Sequence, residues 1–191
     1  MITTIGAYIL IIFYFINERR LRKDETARSW KRGPHDLGSH FVYSYGWATS
    51  LLFLLLAPLM NHLEAGRLEP QWLIGGLGLI LAACGVALRI WSAKTLGEFH
   101  TRTLLIKEGH KVIQHGPYRF IRHPGYLGIM CMLIGAAIAT LNLATIKAIP
   151  IIMIMVVLYR IYAEEKMMQM ELGEAYKQYM RHTWRLIPYI F

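Results

Sequence analysis

"AIPIIMIMVVLYRIYAEEKMM", residues 148–168, runs for twelve uncharged residues and then meets Arg160, Glu164 and Glu165 with no turn residue between. A loop would be announced by Gly, Pro, Asn or Asp, so the helix continues into its charges. A hydrocarbon core of about 30 Å is crossed by about 20 helical residues. A helix entering at Ala148 reaches Arg160 after about 18 Å and leaves the membrane near residue 168. The three charged groups then sit at membrane depth or just beneath the headgroups. Each costs roughly 2.5–3.5 kcal/mol at mid-bilayer and less toward the interface, so they should face protein, a cavity or one another. Arg160 and Glu164 share a helix face at i, i+4. Glu165 is turned about 100° away. The plainer reading is a snorkelling arginine followed by a solvated acidic helix end.

The rest of the chain has the same character. It is 55% hydrophobic and 17% charged over 191 residues, against about 25% charged in soluble domains. Residues 1–17, 41–61 and 70–88 carry no charged side chain, and 125–159 carry Lys147 alone. The expected fold is all-α: an integral membrane protein of about five transmembrane helices, near 2–17, 42–62, 71–93, 125–144 and 148–170. The last two form a hairpin turning at Asn142–Lys147, with Pro150 in the first turn of the fifth. The chain reads as a single domain, 1–191. Three N-terminal spans fill 1–93; a loop, the hairpin and a C-terminal helix fill 94–191. A signal peptide at 1–17 is disfavoured, because positive charge follows the apolar run and none precedes it. Cys84 and Cys131 fall in predicted spans and read as packing residues.

Charge orients these spans. Segment 17–43 holds Arg19, Arg20, Arg22, Lys23, Arg28, Lys31 and Arg32, and segment 89–124 holds Arg89, Lys94, Arg102, Lys107, Lys111, Arg119 and Arg122. The loop 62–69 holds only Arg67 and the hairpin turn only Lys147. The positive-inside rule puts both rich segments, the cytosolic loop and the C-terminus in the cytosol, with the N-terminus outside. The net charge of +9 is topological and lipid-attracting, and no nucleic-acid motif accompanies it.

The segment before the hairpin, "EGHKVIQHGPYRFIRHPGYLG" at 108–128, gathers His110, His115, His123, Tyr118 and Tyr126 around two Gly/Pro punctuations. Pro124 biases His123 away from helical geometry. A polar loop beside an apolar wall suits a small molecule. The histidine spacings match no metal motif, and no Walker loop or GxGxxG is present. No metal is expected.

The pattern GHxxxxxGPYxxxRHPxY, then R-x3-EE, then LGxxYxxY, over about residues 94–188, resembles the isoprenylcysteine carboxyl methyltransferase family and the wider group with the phospholipid N-methyltransferases. The short chain is similar to prokaryotic members, which implies an inner-membrane location. The resemblance implies a methyltransferase that uses S-adenosylmethionine and releases S-adenosylhomocysteine. Carried over by position, the cofactor contacts are His110, Lys111, Val112, Ile113, Tyr118, His123, Pro124, Gly125, Tyr126 and Glu164, and Arg160 positions the acceptor. The implied partners are membrane lipid and a lipophilic small-molecule or prenylated acceptor. Carboxyl O-methylation of an isoprenylcysteine-like acid leads; phospholipid N-methylation and small-thiol S-methylation stay open. An NADPH-using sterol-reductase-like enzyme and a non-enzymatic scaffold are the rivals.

Overall fold

The computed structural model describes residues 1–22, 25–28, 36–69, 72–106 and 109–191. Lys23, Lys31, Arg32 and Lys107 of the basic segments lie outside the described residues. The helices are α1 (Ile2–Leu21), α2 (Glu25–Arg28), α3 (Ser39–His62), α4 (Trp72–Leu96), α5 (Pro124–Ala139) and α6 (Leu143–His182). Among the described residues there are no strands, only two isolated bridges, Arg67 with Asn142 and Ile121 with Trp184. By length and composition, α1, α3, α4 with the turn after it, and α6 can cross a membrane. α5 is apolar but has 16 residues, about 24 Å of helix. The protein is an all-helical integral membrane bundle whose long helices alternate in direction.

The hairpin between α5 and α6 is tighter than the sequence suggests. α6 starts at Leu143 because Asn142 caps it, its side chain accepting from Thr145 N at 3.2 Å. The same side chain donates to Asn61 Oδ1 at 2.8 Å and to Ala65 O at 3.0 Å. One fully buried asparagine thus serves the helix start and ties the hairpin to the end of α3. Lys147 and Pro150 therefore lie inside α6, not in a turn or at its first position. Pro150 is tolerated near the start because few intrahelical bonds precede it. The earlier start moves Arg160 deeper, to about 26 Å along the helix. α6 also continues past residue 170 to His182, with a break at Gly173, whose φ of 56° favours glycine.

Glycine sets the tightest packing. A Cβ on Gly78 of α4 would lie 2.7 Å from Ala139 N and Gly135 O of α5. A Cβ on Gly128 of α5 would lie 2.8 Å from Arg89 N and Gly85 O of α4. Gly85 and Gly135 meet the facing main chain equally closely. Between helices in lipid, small residues allow the backbone approach that provides dispersion contact. Gly135→Ala should therefore lower thermal stability in detergent by about 1–3 kcal/mol, because main chain cannot yield as a side chain can. Gly76→Ala, with nothing within 4 Å of its Cβ, is the control and should not lower it.

Candidate functional site

At the end of the bundle opposite the hairpin turn, α1, α3, α4, α5 and α6 enclose a cleft with the segment 96–123. Its volume, open mouth included, is about 1120 Å³. His110, Lys111, Val112, Ile113, Tyr118, His123, Gly125, Tyr126, Arg160 and Glu164 all line it. Pro124 does not: it is fully buried in the first turn of α5. His115 is exposed and also stands outside the cleft.

α6 presents its charges in two directions. Arg160 is 3% exposed, which removes the snorkelling reading. Its Nη1 donates to Asp36 Oδ1 at 2.7 Å and to Ser39 Oγ at 2.6 Å, and its Nε reaches Tyr126 OH at 3.4 Å. Asp36 also accepts from His40 N at 3.2 Å, so one acid holds the start of α3 and the arginine together. Tyr126 OH in turn donates to Glu164 Oε2 at 2.6 Å. Arg160, Tyr126 and Glu164 form a continuous polar ridge on the wall, and the Tyr43 ring covers Arg160 at 5.7 Å. Glu164 is the only carboxylate among the described lining residues, against Arg22, Arg89, Arg102, Lys111, Arg122 and Arg160.

Glu165 points behind the cleft. It accepts from Arg122 Nε at 2.9 Å, pairs with His123 Nε2 at 3.2 Å, and meets Arg185 Nη2 at 3.0 Å. The C-terminal segment completes this anchor. Arg122 N donates to Trp184 O at 2.8 Å, His123 N to Arg185 O at 3.2 Å, and Trp184 N to Phe120 O at 3.0 Å. Arg122 Nη1 also donates to Met180 O and Thr183 O. His123 is thereby fixed by main chain on one side and Glu165 on the other. The loop's remaining polar groups rest on rings: His110 stacks obliquely on Phe99 at 4.5 Å. Burial pushes the Tyr118 phenol up, so it stays a neutral ring on the wall.

Sequence reasoning missed Glu18, Asp36 and the roles of Arg89, Arg122 and His100. Glu18 of α1 is buried and accepts from Arg22 Nη2 at 2.7 Å, Arg89 Nη2 at 2.5 Å and Arg89 Nε at 3.1 Å, with His100 Nε2 at 3.1 Å. The available signal was a lone acid at the end of an otherwise uncharged run. Burial lowers the His100 pKa below its usual 6.5, against the pull of Glu18. The unfolded chain then binds the proton more readily, so stability is fully present above 6.5 and falls as pH drops toward the lower folded value. Thermal midpoints measured from about pH 7.5 down to about 5.5 should decline, and His100→Gln should flatten that slope.

Set against known proteins, residues 77–170 match the model of the isoprenylcysteine carboxyl methyltransferase (ICMT) family. A probable protein-S-isoprenylcysteine O-methyltransferase of Oryza sativa subsp. indica is 27% identical over 151 residues, 78% of this chain and 79% of the relative. Protein-S-isoprenylcysteine O-methyltransferase A of Arabidopsis thaliana is 26% identical over 154 residues, 80% and 78% of the two chains. The solved structure of the eukaryotic intramembrane Ras methyltransferase ICMT superposes with a TM-score of 0.63 at 27% identity. That match covers 78% of this chain, which spans about half (52%) of the solved one.

Proposed function

Because this chain belongs to the isoprenylcysteine carboxyl methyltransferase family, a family of membrane methyltransferases, we propose that it moves the methyl group of S-adenosylmethionine onto the carboxylate of a lipophilic, isoprenylcysteine-like acid in the cleft. The observation that carries this reading is Glu164, the lone carboxylate among the described residues of a wall rich in cationic, aromatic and apolar groups. The cofactor combines an ammonium, a carboxylate, a sulfonium and an adenine, and the wall residues suit each. Glu164 would pair with the ammonium, a charge-assisted bond strengthened by desolvation. Tyr126 and Tyr118 would present rings toward the sulfonium, an interaction of about 0.5–2 kcal/mol. Val112 and Ile113, both half-buried, would wall the adenine.

When bound, the cofactor supplies an activated methyl group for in-line displacement. The chain's own task is alignment, which provides much of the rate in such a reaction. A carboxylate acceptor is ionised near neutral pH and needs no base. Arg160, held rigid by Asp36 and Ser39, would orient it. Cofactor would enter from the cytosol and acceptor from the bilayer, with the basic segments and the C-terminus on the cytosolic side of a cell membrane.

The test incubates purified protein with methyl-labelled cofactor and a short prenylcysteine acid or a membrane lipid extract. Label released by mild base marks a methyl ester and supports the reading. Base-stable label on headgroup amine or thiol replaces the acceptor class. Binding of NADPH without binding of S-adenosylhomocysteine overturns the reading altogether. In the same assay Arg160→Ala should lower kcat by about tenfold or more while cofactor affinity changes less than threefold; equal losses would remove its acceptor role.

A further inference from the structure

Arg89 stands where the cleft floor meets α1, α4 and α5. Its Nε and Nη2 are both taken by Glu18. Its Nη1 is not among the nitrogens that Glu18 holds and lies against Gly125, where a Cβ would come within 2.6 Å of it. Glycine at 125 is thus what lets the third guanidinium nitrogen reach the cleft. The other cations bound to acids are engaged differently. Arg160 is held by Asp36 and Ser39, and Arg122 by Glu165 and two carbonyls.

Among the described residues the charge around Arg89 does not balance. Glu18 is one carboxylate for two guanidinium groups, Arg22 and Arg89, and all three side chains are at most 14% exposed. His100 adds no compensating negative charge, and Tyr14 and Tyr43 on the adjoining walls are phenols. Arg22 Nε is a buried donor without a partner among the described residues. A buried donor left open and a surplus cation are each costly unless an anion completes the site. Both arginines line the same cleft.

We propose that Arg89, oriented by Glu18 from the first span, is a carboxylate-binding residue of the cleft. The proposal rests on the methyltransferase reading, in which two carboxylates reach the cleft: that of the cofactor's amino-acid end and that of the acceptor. Glu18 is a positioning residue that fixes two of the three guanidinium nitrogens, so the third is presented at a set angle. The inference gives the first span, which lies outside residues 77–170 matched by the family, a share in ligand recognition.

The experiment compares wild type with Arg89→Gln and with the double variant Glu18→Gln/Arg89→Gln, which removes the carboxylate that the single change would strand. Three quantities are read on folded protein: affinity for S-adenosylhomocysteine, affinity for methylthioadenosine, which lacks the amino-acid end, and KM for the acid acceptor. If Arg89 holds the cofactor carboxylate, S-adenosylhomocysteine affinity falls about 10- to 100-fold and methylthioadenosine is unaffected. If it holds the acceptor carboxylate, KM rises by a similar factor and both nucleoside affinities are unchanged. All three within about twofold of wild type in the folded double variant would overturn the proposal. So would equal loss of both nucleosides, which marks a collapsed cleft. Failure of wild type to bind S-adenosylhomocysteine refutes the methyltransferase reading instead.

Discussion

Glu164→Gln lowers the affinity for S-adenosylhomocysteine by about 10- to 100-fold, the 1.5–3 kcal/mol that a hydrogen bond to a charged group is worth. The substitution keeps the size of the side chain and its position on α6. It also keeps an oxygen that can accept from Tyr126 OH, now 2.6 Å away. What disappears is the single negative charge among the described lining residues, which include six Lys/Arg groups. Thermal stability should move little, because Glu164 is partly exposed and the glutamine oxygen can keep its bond from Tyr126 of α5. Calorimetric titration of wild type and variant with S-adenosylhomocysteine checks this. Unchanged affinity would remove the ammonium from Glu164 and with it the orientation assumed for the cofactor.

Glu165→Ala, one residue on, should give the opposite pattern: a loss of about 3–5 kcal/mol in stability, the usual cost of removing one member of a buried pair. Glu165 is 4% exposed, neutralises Arg122 and pairs with His123, both themselves nearly buried. Arg185 is 37% exposed and contributes little by comparison. Without the carboxylate, the buried Arg122 loses its counter-charge and His123 Nε2 its partner, and the main-chain ladder from 120–123 to 184–185 loses its support. Hydrogen exchange at the amides of Arg122, His123 and Trp184 should accelerate together, ahead of global unfolding. A variant as stable as wild type, with those amides still protected, would show that the ladder stands by itself. The adjacent acids thus separate a ligand contact from a structural anchor.

The membrane fold was legible because uncharged runs of helical length suit a hydrocarbon surround and few water-facing surfaces, and Arg22, Arg89, Arg102, Lys111 and Arg122 of the two basic segments line the cleft. Helix limits were less so. Asn142 reads as a turn residue, whereas it caps α6 at Thr145 and bonds Asn61, a partner 81 positions away. The cleft's α6 and loop residues were visible through their shared motif. Their orienting partners were not. Glu18 meets Arg89 across 71 positions and Asp36 meets Arg160 across 124, and no local pattern encodes such pairings. Pro124 was placed with the ligand contacts by its position in the motif, yet its ring serves the first turn of α5.

The glycine seam has a further bearing on traffic. Where two main chains touch along most of a helix, no crevice wide enough for a hydrocarbon tail is left. Under the proposed activity, a greasy substrate travelling sideways through the bilayer would find its doorway along some other flank of the bundle, and enlarging a seam glycine would not block its route.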